Sequence, residues 1–240
     1  MKKRIILFLL GIILFISALP LSIKMIMEYF HTQQMHSRYK IEVISNRYPP
    51  PAQKFTVLSH SVEIDETIIE EGNYTDRWNY DIAIANLTIK IDGETLATLE
   101  NYPIRAKNEG IQKYHGNISF IGLFDKKEEE RKLFVVLRNT KDEITNENGV
   151  NIISSPPLEE IKYTIHTIDE EGHIESATFS QNKRSAIQTL VLNNSGTSPM
   201  AVGYYTDTWH MYPSVFFQFS TFFLGIILII FYFPIRKVKE

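Results

Sequence analysis

Histidines are the residues of this chain best suited to acid–base chemistry or metal binding, and the chain has seven of them. His31 and His36 are close together near the N-terminus. Their spacing of five residues places them on different faces of a helix, so they are not expected to share a metal ion.

A second pair, His166 and His173, flanks a predicted hairpin whose turn, Asp169–Gly172, contains two glutamates. With a four-residue turn, His173 pairs with Ile168 and His166 pairs with Glu175, so the two imidazole rings do not converge. This pair therefore indicates solvated polar positions on strands rather than a metal site.

The segment from Asn139 to Gly149 is rich in oxygen ligands of the kind that bind calcium. Its acidic and amide side chains are Asp142, Glu143, Asn146, Glu147 and Asn148. The spacing does not match an EF-hand, because aligning Gly149 as the turn glycine puts Ile144 at the first ligand position and Ser155 at the last. An irregular calcium site and an ordinary polar loop stay open, and the polar loop is favoured.

Serine nucleophiles are considered at two Ser-x-x-Lys sequences, Ser180–Lys183 and Ser37–Lys40. Two matches in a short chain show that this pattern has little specificity, and the companion Ser-Asp-Asn and Lys-Thr-Gly motifs are absent from the sequence. The sequence also contains no nucleophile elbow, phosphate-binding loop, zinc-binding His-Glu-x-x-His or dinucleotide fingerprint. It therefore identifies no catalytic residue, no cofactor and no metal site.

Composition narrows the class of protein. The chain has no cysteine, which excludes disulfides, thiolate metal sites and thiol catalysis. Its net charge is -3, and basic residues cluster only at the two tips, so no nucleic-acid partner is expected. The use of Lys, Ile and Asn, together with the basic start, favours a bacterial protein.

Two apolar segments are the strongest signals in the sequence. Residues 5–27 form the first predicted transmembrane helix, with no charge from Ile5 to Ile23. A cleaved signal peptide is the alternative, although Ser17–Pro20 is a poor cleavage site. Residues 211–235 form the second predicted span, bordered by aromatic rings as expected at a membrane interface.

The positive charges predict the orientation of the two spans. The tips, residues 1–4 and 236–240, are basic, which places both in the cytoplasm and the middle of the chain outside. Residues 28–51 are a juxtamembrane segment and proline-rich linker, in which Tyr29–Lys40 can extend the first helix. The outer domain covers residues 52–210.

Alternating apolar residues in the outer domain predict a mainly β, antiparallel, sandwich-like fold. Asp92 and Gly93 form a two-residue hairpin turn, which places Ile89 opposite Leu96. Leu190–Leu192 and Ala201–Thr206 are also predicted as strands. A short helix over Ser185–Leu192 is the alternative to the first of these.

Lacking an enzymatic motif, the chain is interpreted as a membrane-anchored accessory protein that binds another membrane protein, a secreted peptide or a cell-wall component. Its expected partners are the lipid bilayer and a membrane protein or a second copy of itself. The alternative is a membrane-bound, hydrolase-like enzyme. In the second span, Gln218, Ser220, Thr221 and Gly225 are small or polar residues suited to helix–helix contacts.

Overall fold

The computed structural model describes residues 2–44, 54–76, 80–106, 113–114, 116–147, 150–198, 202–205 and 212–232. The chain is mostly β, with 43% of residues in strands and two mainly antiparallel sheets. It divides into two compact units: residues 1–34 with 201–240, and residues 35–200.

The first unit is built from two apolar helices. Helix α1 (Lys2–Arg38) continues past the first predicted span, as the polar-aromatic segment indicated. By length and composition, α1 is the one described helix that can cross a membrane. Helix α3 (Tyr212–Tyr232) has a shorter apolar stretch, Val215–Phe231. Both helices expose large apolar side chains, among them Ile6, Ile13, Phe217, Ile230 and Phe231.

The second unit contains both sheets. The first sheet has the strand order β1-β6-β7-β10-β11 and is antiparallel throughout. Its strands are β1 (Tyr39–Ile44), β6 (Ile118–Asp125), β7 (Glu130–Arg138), β10 (Lys162–Ile168) and β11 (Ile174–Ser180). Strand β1 lies within residues 28–51, which were predicted to be a juxtamembrane segment and linker. The first sheet therefore begins directly after α1 in the sequence.

The second sheet has the order β5-β4-β3-β9-β8, with β2 paired to β3. Its strands are β2 (Lys54–Val57), β3 (His60–Asp76), β4 (Asp81–Ile91), β5 (Glu94–Arg105), β8 (Glu143–Glu147) and β9 (Val150–Ser154). Only the short β3–β9 pairing among the described strands is parallel.

One hydrophobic core joins the two sheets. Alternate residues of β4, such as Leu87 and Ile89, are buried in the same cluster as Phe120 and Val135 of the first sheet. Strand β6 is buried on both of its faces, because helix α2 (Ala186–Ser195) contacts the first sheet on the side away from this core. A strand covered on both faces is expected to be almost continuously apolar, as β6 is.

The β4–β5 hairpin corrects one predicted register. The two-residue turn Asp92–Gly93 is confirmed, and both of its residues have positive φ. Ile89, however, pairs with Ala97 rather than Leu96, because a bulge shifts the register between Ile89 and Lys90. One extra residue in β5 is enough to change the partner of every position beyond it.

Three further predictions are corrected by the backbone. Leu190–Leu192 is helical, so the strand prediction was wrong and the alternative short helix is confirmed; Ser185 caps it in a capping box. Val202–Tyr205, the described part of the predicted strand Ala201–Thr206, is not a strand. In the β10–β11 hairpin the connection has five residues rather than four, so Ile168 pairs with Ile174. The proline run Pro49–Pro51 lies outside the described residues.

Candidate ligand-binding cleft

The second unit contains a cleft of about 560 Å³. It is lined by Leu58, Ser59, His60, Arg131 and Glu170. These residues come from the β2–β3 turn, the first residue of β3, the beginning of β7 and the β10–β11 loop. A volume of this size lies within the range of about 300–1,000 Å³ that is typical of small-ligand sites.

His60, the first residue of β3, is held in one orientation by Asp92. The Nδ1 atom of His60 lies 2.7 Å from Oδ2 of Asp92, and the imidazole is only 6% exposed. Asp92 is fixed in turn, because its Oδ1 accepts a 2.7 Å hydrogen bond from the backbone N–H of Ser61. Both contacts hold the pKa of Asp92 below its usual value, with the His60 hydrogen bond contributing most. Since Nδ1 is occupied, Nε2 is the ring nitrogen available to a ligand in the cleft.

Arg131 supplies the positive charge of the cleft. Register places it opposite Phe124, on the same face of β7 as the core residue Leu133. Its Nε donates a 2.9 Å hydrogen bond to Glu42, and its guanidinium lies over the ring of Phe124 at 5.4 Å. The hydrogen bond to Glu42 is the main reason that the pKa of Arg131 is raised. Arg131 is therefore a permanent cation.

Glu170 faces Arg131 at a longer distance. Its Oε1 lies 3.8 Å from Nη1 of Arg131, which is too long for a hydrogen bond. Arg131 therefore keeps an ion pair with Glu170 in addition to its hydrogen bond to Glu42, and both carboxylates contribute to its raised pKa. The cleft thus presents the Nη donors of Arg131, which make no short hydrogen bond among the described residues, beside an exposed carboxylate and the hydroxyl of Ser59.

The β2–β3 turn that carries Ser59 has an unusual backbone. Leu58 has a φ of +55°, a region that leucine seldom adopts, and such strain tends to occur at functional sites. Its side chain packs against Gly122 of β6, where an added Cβ would lie 3.0 Å from Cγ and Cδ2 of Leu58. The absence of a side chain at Gly122 allows the turn to approach the first sheet.

In the first unit, two glycines allow α1 and α3 to approach each other closely. A Cβ on Gly225 would lie 2.8 Å from the backbone nitrogen of Phe15, and one on Gly11 would lie 3.0 Å from the carbonyl oxygen of Gly225. Nearby, the Nε2 of Gln218 donates to the carbonyl oxygen of Ala18 and lies 3.4 Å from Oγ of Ser22. Small residues at a crossing and one polar bond between helices are typical of membrane helix pairs.

A second contact fixes the segment before α3 to α1. The buried carboxylate of Glu28 accepts hydrogen bonds from the backbone N–H groups of Tyr204 at 2.7 Å and Tyr205 at 2.6 Å. The ring of His31 stacks on Tyr204, and its Nδ1 is 3.0 Å from the hydroxyl of Tyr205. Burial raises the pKa of Tyr204 to about 12.

The predicted histidine pairs are separate in the structure. His31 contacts the two tyrosines, whereas His36 contributes its carbonyl oxygen to Lys126 at the end of α1. His166 pairs with Ser176 rather than Glu175, and its Nδ1 lies 2.7 Å from the serine hydroxyl. His173 instead contacts Asp169 at 3.0 Å. Within the described residues, no group of three His, Asp or Glu side chains is arranged to hold a metal ion.

The remaining candidates also have local partners. Asp142 forms an ion pair with the buried Arg138 at 2.7 Å, and the segment after it is strand β8 rather than a loop. Asn148 and Gly149 lie outside the described residues. The hydroxyl of Ser180 donates to Asn182 at 2.8 Å, while Lys40 is 3.4 Å from Glu42.

The four small or polar residues singled out in α3 make different contacts. Gln218 and Gly225 contact α1, as polar and small residues between helices are expected to do. Thr221 instead donates to the carbonyl oxygen of Phe217 in its own helix. Ser220 lies on the exposed face of α3 among phenylalanines.

No pattern in the sequence indicates the cleft. His60 and Asp92 are 32 residues apart, and Asp92 was recognised only as a turn residue. Glu170 was recognised only as part of the β10–β11 turn. The one available signal was a histidine at the start of a predicted apolar-alternating segment, which is too common to identify a site.

Comparison with known proteins adds no assignment: no family model, no curated protein and no solved structure matches this chain.

Proposed function

We propose that this chain is a two-pass membrane protein whose outer, sandwich-like β domain is a binding module that acts beside another membrane protein. The observation that carries this proposal is the pair formed by α1 and α3. Its outer surface is apolar, whereas the polar amide of Gln218 is directed to the backbone of α1. That is the arrangement expected of a helix pair surrounded by lipid.

The positive-inside rule supports the orientation of this pair. Lys2, Lys3 and Arg4 precede the first apolar segment, and three further basic residues follow the second. With both termini in the cytoplasm, residues 28–210 lie on the outer side. The cleft is a concave site of this outer domain that is large enough for a small ligand, which supports a binding role.

Cysteine labelling tests the topology. The native chain has no cysteine, so an introduced thiol is the only target. Glu175→Cys, at an exposed position of β11, is expected to react with a membrane-impermeant maleimide in intact cells. Lys239→Cys is expected to react only after the membrane is permeabilised. The reverse pattern, or labelling of both in intact cells, would refute the two-pass topology.

Photo-crosslinking in intact cells tests the binding role. A photoreactive amino acid at Glu170, on the rim of the cleft, is expected to capture a membrane protein, a secreted peptide or cell-wall material. The matched control places the same amino acid at Lys183, an exposed position after β11 that does not line the cleft. Equal capture at both positions, or none at Glu170, would count against a binding module with this cleft.

A hydrolase-like enzyme is the second candidate, and the His60–Asp92 pair favours it. A carboxylate that orients an imidazole is the arrangement found in general-base catalysis. In such an enzyme, Nε2 of His60 would accept a proton from water as the water attacks an ester or amide. Hydrolysis of a panel of esters that is lost in His60→Gln and retained in His173→Gln would support the enzyme over the binding module.

A further inference from the structure

We infer that the cleft binds the C-terminal residue of a peptide, through its α-carboxylate and its amide N–H, between Arg131 and Glu170. This inference rests on the proposed binding function and names the ligand class of the same cleft. It follows from the Nη donors of Arg131, the spacing of the charged groups and the shape of the site.

Arg131 binds the carboxylate of the ligand. Glu42 accepts the hydrogen bond of the Arg131 Nε, and the ring of Phe124 lies under the guanidinium group. These two contacts orient the guanidinium group and therefore the direction of its Nη atoms. An oriented guanidinium binds a carboxylate through two parallel hydrogen bonds, which is a geometry that lysine cannot reproduce. The hydroxyl of Ser59 is a further donor on the lining of the cleft.

Glu170 accepts a hydrogen bond from the amide N–H of the ligand. Its carboxylate lies 3.8 Å from the nearest nitrogen of Arg131, which is close enough for attraction but leaves its oxygens able to accept a hydrogen bond. A peptide's C-terminal residue carries its carboxylate and its amide N–H on the same Cα. Such a residue therefore offers an anion and a donor at a spacing that matches a cation and an acceptor a few ångströms apart.

The remaining lining fits the same ligand. His60, held by Asp92, offers Nε2 to a polar group of the ligand, and Leu58 provides an apolar surface for a side chain. A simple inorganic anion meets the negative charge of Glu170 and has no donor to offer it, whereas the amide N–H of a peptide's C-terminal residue can donate to Glu170. The combination therefore favours a ligand with a donor beside its carboxylate over an anion alone.

The test uses the full chain in lipid nanodiscs and three probes: tri-alanine, tri-alanine amide and free alanine. Binding is measured by saturation-transfer NMR and calorimetric titration. Tri-alanine is expected to bind, and the amide to bind at least about tenfold more weakly, because the charge-assisted bonds to Arg131 are lost. Free alanine binding as tightly as tri-alanine would identify an amino acid as the ligand and overturn the peptide assignment.

Variants locate the contact. Arg131→Gln is expected to weaken tri-alanine binding by at least about tenfold, and Arg131→Lys to give an intermediate loss. Lys127→Gln is the matched control, because it removes one positive charge from the neighbouring exposed turn without touching the cleft. It should change binding by less than about twofold at physiological salt.

A loss of fold in Arg131→Gln would leave Glu170→Gln as the decisive variant, since Glu170 is an exposed loop side chain. It is expected to weaken tri-alanine binding by about threefold. Three results would overturn the inference: equal binding of the acid and the amide, equal effects of Arg131→Gln and Lys127→Gln, or no binding at about 10 mM peptide, where even a millimolar site would be filled. Persistent crosslinking at Glu170 with no peptide binding would reject this ligand class and leave the proposed binding function standing.

Discussion

Arg38, the last residue of α1, forms a bidentate salt bridge with Asp125, the last residue of β6. Its Nη2 lies 2.6 Å from Oδ2 of Asp125, and its Nε is 3.1 Å from both carboxylate oxygens. The nearby Lys126 donates to the carbonyl oxygen of Ser37 at 2.9 Å. These contacts provide hydrogen-bond partners for backbone and side-chain groups at the end of α1, which is followed directly by strand β1.

The pKa of Asp125 follows from this contact. The hydrogen bonds from Arg38 lower it to about 2. Because the pKa is lower in the folded state, the pair stabilises the fold above the ordinary pKa of aspartate and loses this effect as the pH falls towards 2. Asp125→Asn should reduce the free energy of unfolding at pH 7 by about 1 kcal/mol, since water around the partly exposed Arg38 screens the pair.

Urea unfolding, followed by circular dichroism at pH 7 and pH 3, measures this effect. Glu128→Gln is the control, because Glu128 lies 3.7 Å from Arg38 and is half exposed. The control should unfold almost as the natural protein does. An equal loss in the two variants would show that Asp125 has no special role.

The glycine contact between α1 and α3 predicts the effect of a larger side chain. Gly225→Leu should weaken helix pairing by more than about 1 kcal/mol, because the new side chain meets the backbone of Phe15. Disulfide formation between Phe15→Cys and Phe222→Cys, whose rings are 5.2 Å apart in the natural chain, reports the pairing. Ser220→Leu, on the exposed face of α3, should leave crosslinking unchanged; a similar loss there would argue against the glycine contact.

Buried His166 predicts a pH dependence that exposed His173 does not. Burial lowers the pKa of His166, so the unfolded chain binds a proton at a higher pH than the folded chain does. Stability from this residue should therefore decrease as the pH falls below about 6.5. His166→Gln should reduce the difference between urea midpoints at pH 7.5 and pH 5.5. His173→Gln, at a side chain 72% exposed, should preserve it; the opposite ranking would contradict the prediction.

The contact between Leu58 and Gly122 predicts coupled substitutions. Gly122→Ala should destabilise the domain by about 1–3 kcal/mol, because its methyl group would press on Cγ of Leu58. Adding Leu58→Ala should restore part of this loss by making room. A double-mutant cycle of urea unfolding measures the coupling, and strictly additive effects would mean that the two residues do not determine each other's position.

Local patterns in the sequence determined much of the secondary structure. The alternation of Leu87, Ile89 and Ile91 predicted a half-buried strand, and Asp92–Gly93 predicted its two-residue turn. These predictions succeed because side-chain period and turn chemistry act over a few neighbouring residues. The apolar first segment likewise predicted a helix able to cross a membrane.

Registers and short segments were decided by the tertiary structure. A bulge changes the residue that pairs with Ile89, and the five-residue β10–β11 connection changes the residue that pairs with Ile168. The turn lengths predicted from the sequence did not reveal either change. The apolar residues of Leu190–Leu192 are compatible with either a strand or a helix. In the structure this segment belongs to α2, which packs on the first sheet. For a short apolar segment, burial against its neighbours outweighs local propensity.

The cleft was beyond sequence reasoning, and for the helix contact the sequence indicated Gln218 and Gly225 but not their partners on α1, for the same physical reason. His60 meets Asp92, Arg131 meets Glu170, and Gly225 meets Gly11 only after distant parts of the chain have packed. Each of these residues alone has an ordinary local role in a turn, a strand or an apolar segment. The sequence by itself determined the elements and their apolar faces, whereas only packing decided which polar groups share a site, because long-range contacts carry no local pattern.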